Sequence, residues 1–125
     1  MIVDDNEMIV STLEELLTYK GFDVVGTGHD GNDAIMLYKE LIPNIVLLDV
    51  NMPNKNGFEA LEEIKKINEN ANIIMITGEQ GSDIEIRLQE LGAVTIIQKP
   101  FEIESIIEII KKIQNSEKIL FNKFV

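Results

Sequence analysis

Residues 45–57 read IVLLDVNMPNKNG: four apolar residues lead into Asp49, and a loop rich in Asn follows. An unbroken apolar run of this length is typical of a strand covered on both faces, which occurs mainly in parallel sheets flanked by helices. In open parallel sheets, ligands bind at the carboxyl ends of the strands. The stretch therefore predicts an α/β fold that delivers the Asp49 carboxylate to its ligand-binding edge.

The same alternation of apolar run and helical spacing repeats along the chain. Five units are too few for an eight-fold barrel, and right-handed crossovers allow helices to cover both faces of an open sheet. We therefore predict one three-layer, doubly wound domain. The predicted strands are residues 1–3, 23–28, 45–49, 72–77 and 94–98, and the predicted helices are 7–20, 32–42, 58–70, 83–91 and from 102 onward.

The composition narrows the possible functions. The chain of 125 residues has no Cys and one His, so disulfides, thiolate metal sites and Cys nucleophiles are excluded. Asp and Glu outnumber Lys and Arg by 22 to 11, and this net charge of -11 disfavours direct binding to nucleic acid. Neither a membrane-length apolar run nor a signal segment is evident, so we expect a cytoplasmic protein without a membrane partner.

Polar side chains stand at the predicted strand ends. The first strand ends at Asp4 and Asp5, the third at Asp49, the fourth at Thr77 and the fifth at Lys99. Three clustered carboxylates repel one another unless a cation lies between them, and an all-oxygen site suits Mg²⁺. A carboxylate in such a site can act as a nucleophile and accept a phosphoryl group, with the metal and the lysine offsetting its charge.

These motifs resemble those of response-regulator receiver domains, in family order and over essentially the whole chain. The resemblance implies a flavodoxin-like (βα)5 sandwich with a parallel sheet in the order 2-1-3-4-5, an order taken over from that known fold. The motifs that carry it are Asp4-Asp5, LLDVNMPNKNG at 47–57, Thr77-Gly78, Leu91-Gly92-Ala93 and Lys99-Pro100-Phe101.

The resemblance also implies a metal site and an acceptor. Asp49 would be the phosphoacceptor and would share a Mg²⁺ or Mn²⁺ ion with two other carboxylates. Asp5 would bind this ion directly and Asp4 through water, while the backbone carbonyl of Asn51 would complete the protein ligands. The family draws its phosphoryl group from a phosphohistidine on a sensor histidine kinase or a histidine phosphotransfer protein.

Further positions would hold the phosphoryl group or set its lifetime. Thr77 and Lys99 would contact phosphoryl oxygens, and the Lys99–Pro100 peptide bond is expected to be cis. Asn51 and Glu79 occupy the two positions that tune hydrolysis of the acyl phosphate in this family. Their pairing resembles that of chemotaxis regulators, which indicates a short-lived signal.

One position on the fifth strand departs from the family pattern. Three residues before Lys99 the family usually has Tyr or Phe, and this chain has Ile96. The usual switch pairs the threonine with an aromatic ring that swings inward, so here the readout must come from backbone shifts of residues 78–82 and the helix after them. His29, where the family usually has a small residue, is expected to be a loop residue without function.

The last helix has more apolar residues than its core face requires. We assign residues 1–116 to the receiver domain and 117–125 to an extension of the last helix or a tail, with no output domain. The extension either folds back on the domain or forms an exposed patch for a partner or a homodimer, on the surface of the fourth helix, fifth strand and fifth helix. The expected core face is Ile103, Ile106, Ile110 and Ile113, with Ile107 and Ile109 beside it, and the spacing continues through Glu117 to Leu120 and Phe124, with Phe121 and Val125 also apolar.

The sequence thus predicts a stand-alone phosphoreceiver that catalyses its own phosphorylation and dephosphorylation but is primarily a signalling protein acting on an unknown downstream protein. A degenerate receiver that binds a partner without phosphorylation is the alternative, and only Ile96 favours it. A phosphatase of the haloacid dehalogenase type would need a second Asp where the chain has Asn51. A flavodoxin would need a phosphate-cradling loop where the acidic residues 4–7 stand.

Overall fold

The computed structural model describes residues 1–117, 119 and 121, and the backbone of 123–124. Within these residues, all neighbouring strands are parallel and lie in the order β2-β1-β3-β4-β5-β6. The predicted order 2-1-3-4-5 is confirmed, and β6 is an unpredicted addition beside β5. The strands are β1 (Ile2–Val3), β2 (Thr27–Gly28), β3 (Val46–Asp49), β4 (Ile73–Thr77), β5 (Thr95–Gln98) and β6 (Lys123–Phe124).

Helices cover both faces of the sheet, which confirms the three-layer architecture. Neighbouring strand residues point to opposite faces, so Leu47 packs with one helical layer and Leu48 with the other. The layer on the Leu47 side is formed by α1 and α5, and the layer on the Leu48 side by α2, α3 and α4. The helices are α1 (Glu7–Tyr19), α2 (Gly31–Leu41), α3 (Gly57–Ile67), α4 (Ser82–Glu90) and α5 (Ile103–Gln114).

The loop after β3 is tied closely to the strand that precedes it. The Gly57 N–H donates to the Val50 carbonyl at 2.8 Å, so the loop closes where α3 begins. A Cβ at Gly57 would lie 2.2 Å from the Asp49 carbonyl oxygen, and therefore only glycine fits. Asn56 and Glu59 form a capping box that starts α3 at the same point. The loop thus holds Asp49 on a rigid base.

The second strand is shorter than predicted. The expectation was a strand over residues 23–28, but β2 contains only Thr27 and Gly28. The reason is its neighbour, because β1 offers two residues for pairing, with Ile2 opposite Thr27 and Val3 opposite Gly28. The length of a strand depends on how many residues its neighbouring strand offers for pairing. The apolar pattern of one segment does not contain this information.

Of the two alternatives given for residues 117–125, an extension of the last helix or a tail, the helical extension is not found in the part of the chain that the structure describes. Helix α5 ends at Gln114, and Ser116 takes a left-handed conformation with φ of 55°. The Glu117 N–H then donates to the Lys112 carbonyl and the Ser116 N–H to the Ile113 carbonyl, the two bonds of a Schellman motif. The helical spacing of apolar residues therefore continues in the sequence after the helix has ended at its Schellman motif.

The buried face of α5 also differs from the prediction. Ile109, expected beside the core face, is fully buried together with Ile106, and Ile110 is nearly so. Ile103 and Ile113 are only partly buried against the same cluster. The middle of the helix, residues 106–110, therefore makes the main contact with the sheet, and its two ends are less buried.

The described part of the C-terminal segment packs on the domain. Ile119 contacts the cluster on the α1 and α5 side, and Phe121 contacts the cluster on the opposite side. Their positions agree with the fold-back alternative, whereas Leu120 and Val125 lie outside the described residues. The domain boundary at residue 116 stays a prediction. No helix in the described part of the chain has the length and apolarity that crossing a bilayer requires.

Candidate functional site

Three aspartates meet at the carboxyl edge of the sheet. Asp4 and Asp5 follow β1, and Asp49 is the last residue of β3, the neighbouring strand. Each offers a carboxylate oxygen that lies within 4.8 Å of the other two. Asp4 and Asp49 are buried and Asp5 is exposed, so the cluster is closed toward the sheet and open to water on one side.

Burial and charge crowding both act on Asp49. The pKa of this carboxyl is raised to about 6, first by burial and then by the nearby Asp4 carboxylate, while the charge and hydrogen bond of Lys99 partly offset the rise. At neutral pH the carboxylate is mostly ionised, but in an environment that disfavours its charge. Such a group is ready either to accept a cation or to react as a nucleophile.

The positively charged side chain of Lys99 lies beside the aspartates at this edge of the sheet. Its Nζ lies 2.9 Å from Asp4 Oδ2 and 3.2 Å from Asp49 Oδ1. Burial lowers the pKa of Lys99, but the hydrogen bond to Asp4 and the charges of Asp49 and Asp4 outweigh it, so the pKa is raised overall. The ammonium therefore stays charged. The Lys99–Pro100 bond is cis, as expected.

The donor set fits a divalent metal ion. Three carboxylates lie beside one ammonium, and burial first, with the Asp4 carboxylate second, raises the pKa of Asp49. Oxygen ligands with one side open to water are what Mg²⁺ prefers in proteins, and Mn²⁺ accepts the same set. Asn51, the expected carbonyl ligand, lies in the loop two residues after Asp49.

Thr77 and Glu79 belong to the loop that leaves β4. Thr77 is 1% exposed, and its Oγ1 accepts a hydrogen bond from the Glu79 N–H at 3.0 Å. The Glu79 carboxylate accepts a hydrogen bond of 2.5 Å from the side-chain amide of Asn51. The two positions expected to tune hydrolysis thus contact each other and join the loop after β3 to the loop after β4.

Ile96 and His29 differ in their relation to the aspartates. Ile96 is 1% exposed and belongs to the apolar cluster beneath α2, α3 and α4. His29 is exposed, and its ring Nδ1 lies 3.4 Å from the backbone carbonyl of Asp4. Ile96 is therefore a core residue, and His29 contacts the backbone of the aspartate cluster.

Sequence reasoning missed one residue, Gln98. This last residue of β5 is 2% exposed and donates its side-chain amide to the carbonyls of Thr77 and Glu79, at 3.2 and 3.1 Å. The available signal was an amide at the end of a strand whose inner residues are Ile96 and Ile97. Its contacts depend on where another loop places its carbonyls, which no spacing within β5 reveals.

Comparison with known proteins gives consistent matches. The family model described as the response regulator receiver domain matches residues 1–111. The chain is 36% identical over 113 residues to the chemotaxis protein CheY of Thermotoga maritima, covering 90% of this chain and 94% of that protein. It is also 36% identical to CheY of Bacillus subtilis, covering 92% and 96%.

Solved structures agree with the sequence matches. A crystal structure of a CheX–CheY complex with BeF3 and Mg from Borrelia burgdorferi superposes with a TM-score of 0.85 at 32% identity, covering 90% of this chain and 86% of that one. A CheY-like receiver domain protein from Methanospirillum hungatei gives a TM-score of 0.85 at 26% identity, with 91% of each chain covered.

Proposed function

Because the chain belongs to the response-regulator receiver family, we propose that it accepts a phosphoryl group on Asp49 and signals by the conformational change that follows. The observation that carries the proposal is the contact of Lys99 with both Asp4 and Asp49, at 2.9 and 3.2 Å, at the carboxyl edge of the sheet. This arrangement puts a buried, reactive carboxylate beside a fixed positive charge.

Asp49 is the nucleophile in this proposal. One of its carboxylate oxygens attacks phosphorus, and the new O–P bond forms as the P–N bond to the donor histidine breaks. The departing imidazole takes up a proton. The pKa of about 6 keeps Asp49 ionised at neutral pH, as attack requires. Lys99 offsets the negative charge that reaches the site with the phosphoryl group.

The carboxylates of Asp4, Asp5 and Asp49 and the backbone carbonyl of Asn51 would hold Mg²⁺ or Mn²⁺. When bound, the ion supplies positive charge for the phosphoryl oxygens. The Asp4 side chain is held in one orientation without a metal ion, because its Oδ1 accepts a hydrogen bond from the Asn6 N–H at 2.9 Å and its Oδ2 accepts one from the Lys99 ammonium. Lys99 therefore bridges the Asp4 and Asp49 carboxylates and holds them in place.

Thr77 and the pair of Asn51 and Glu79 act on the bound phosphoryl group. Thr77 Oγ1 accepts the Glu79 N–H, and its own hydroxyl hydrogen can be donated to a phosphoryl oxygen. Asn51 and Glu79 lie on the exposed side of the site, where a hydrolytic water would approach. Polar groups there favour dephosphorylation and a short-lived signal.

The proposed partners are proteins. The phosphoryl donor is a sensor histidine kinase or histidine phosphotransfer protein in the cytoplasm, and the receiver acts on a separate downstream protein. Two chemotaxis relatives of which the match covers 94% and 96% support a role as a stand-alone receiver. A homodimer through the surface of α4, β5 and α5 is also part of the proposal. Strand β6 pairs with β5, so it would form part of this surface.

A degenerate receiver remains the second candidate, and Ile96 in place of an aromatic residue is the observation behind it. The two candidates differ in whether the site binds a phosphoryl mimic. We expect beryllofluoride with Mg²⁺ to bind the wild-type protein in titration calorimetry and to fail with Asp49→Asn. Absence of binding to the wild type would favour the degenerate receiver.

A further inference from the structure

Gln98 makes two hydrogen bonds that the strand ladder does not need. The Thr77 carbonyl already accepts the Lys99 N–H at 2.8 Å, a bond that continues the pairing of β4 with β5. The Gln98 amide adds a second bond to this carbonyl and one to the carbonyl of Glu79. Gln98 therefore ties the start of the 78–81 loop to the end of β5.

The orientation of the Gln98 amide is fixed by its two bonds and leaves its oxygen without a hydrogen-bond partner among the described residues. Both partners are carbonyl oxygens, so the NH₂ group must face them, and a turned amide would set oxygen against oxygen. In this orientation Gln98 Oε1 is buried and, among the described residues, has no hydrogen-bond partner. An apolar side chain of similar size would avoid that cost, so the contacts with the loop are the reason for an amide here.

Three hydrogen bonds converge on Glu79. Its carboxylate accepts from Asn51, its N–H donates to Thr77 Oγ1, and its carbonyl accepts from Gln98. Glu79 itself is exposed, and the loop continues through Gly81, which has a φ of 143°. These three bonds thus hold the Glu79 carboxylate against Asn51, two residues from the proposed acceptor Asp49.

Phosphorylation of Asp49 would bring further negative charge to this place. Like charges repel, so the phosphoryl group disfavours the position that the Glu79 carboxylate occupies. If the Thr77 hydroxyl moves toward the group to donate its hydrogen to a phosphoryl oxygen, the Glu79 N–H that its oxygen accepts is drawn with it. Both changes move Glu79, and the bond to Gln98 opposes them.

On the premise that Asp49 is the phosphoacceptor, we propose that Gln98 is a positioning residue that holds Glu79 and the 78–81 loop in the unphosphorylated arrangement. Its two bonds set how readily the phosphorylated arrangement is reached. The chain thereby gains a restraint on the same loop whose movement must supply the readout, since Ile96 offers no ring.

The test compares Gln98→Leu with wild type and with Gln114→Leu, the same change at an exposed site on α5. Without its restraint the loop rearranges more easily, so Gln98→Leu should bind beryllofluoride and Mg²⁺ roughly fivefold more tightly, about the effect of one net hydrogen bond. Gln114→Leu should bind as wild type does. Equal or weaker binding by a folded Gln98→Leu protein would overturn the proposal.

A measurement on the wild type keeps the test decisive if Gln98→Leu does not fold. Hydrogen exchange of the Gln98 side-chain amide should accelerate when beryllofluoride saturates the site, because its bond to the Glu79 carbonyl is released. Unchanged or slower exchange would overturn the role of Gln98. If the wild type binds no beryllofluoride at all, the phosphoacceptor proposal fails and this inference fails with it, which separates the two outcomes.

Discussion

Lys99 and Asp4 stand 95 positions apart in the chain, and the lysine Nζ lies 2.9 Å from the aspartate Oδ2. The same ammonium contacts Asp49 at 3.2 Å. The pair joins the end of β5 to the end of β1 across the two strands between them. A single lysine thus contacts both buried carboxylates and supplies the positive charge that an incoming phosphoryl group meets.

Replacing Lys99 by Met should slow phosphorylation more than it weakens metal binding. The charge that offsets the phosphoryl oxygens is lost, so the initial rate with acetyl phosphate should fall by about tenfold or more. Mg²⁺ affinity should be kept or rise, because no ammonium then competes for the carboxylates. Lys112→Met, which removes the surface pair with Glu108, is the control and should change neither quantity. A Lys99→Met rate equal to wild type would contradict the role given to this residue.

Asp49→Asn should stabilise the metal-free protein at neutral pH. Burial first, and then Asp4, raise the pKa of Asp49 to about 6 from 3.8. The folded state therefore holds more protons than the unfolded state between about pH 4 and 6, and its stability falls as pH rises through that window. At pH 7 the ionised Asp49 carboxylate destabilises the folded state by the full amount that corresponds to this difference in pKa. Asp49→Asn should therefore raise the free energy of unfolding by about 1–3 kcal/mol.

Urea unfolding in the presence of a chelator measures this effect. The gain from Asp49→Asn should shrink toward zero at pH 4, where the wild-type carboxyl is largely protonated in the folded state. Asp23→Asn, at an exposed position before β2, provides a control for loss of one negative charge. A gain of the same size at both pH values would show that the raised pKa is not its source.

Gly57→Ala should damage both the fold and the site. Its Cβ would lie 2.2 Å from the Asp49 carbonyl oxygen, so the backbone that carries the acceptor must move. We expect a loss of about 2–4 kcal/mol in unfolding free energy, as for other severe steric clashes, together with slower phosphorylation. Gly78→Ala is matched, because a Cβ there meets nothing within 4 Å. Equal stability of the two variants, measured by thermal unfolding, would rule out the close approach.

Phe121→Ala should destabilise the domain, since the ring packs against the apolar cluster under α2, α3 and α4. For a half-buried ring we expect a loss of about 1–2 kcal/mol. Tyr19→Ala is the control, because that side chain is 84% exposed. Similar, small effects of both substitutions in urea unfolding would mean that the C-terminal segment does not pack on the domain.

The sequence predicted the fold where periodicity and packing agree. Continuous apolar runs located β3, β4 and β5, and residues at their ends gave Asp49, Thr77 and Lys99. The features it missed depend on relationships between segments. The length of β2 follows from its pairing with β1, the end of α5 from a left-handed Ser116, and the function proposed for Gln98 from carbonyls on another loop.

The most direct test of the central claim is the intact mass of the protein after incubation with acetyl phosphate and Mg²⁺, quenched in acid at successive times, together with the consumption of acetyl phosphate. We predict a gain of one phosphoryl group, or consumption without accumulation if hydrolysis is fast. Both should require Mg²⁺ and be absent from Asp49→Asn. A wild-type protein that neither gains the group nor consumes acetyl phosphate, or an Asp49→Asn protein that does so equally, would contradict the account.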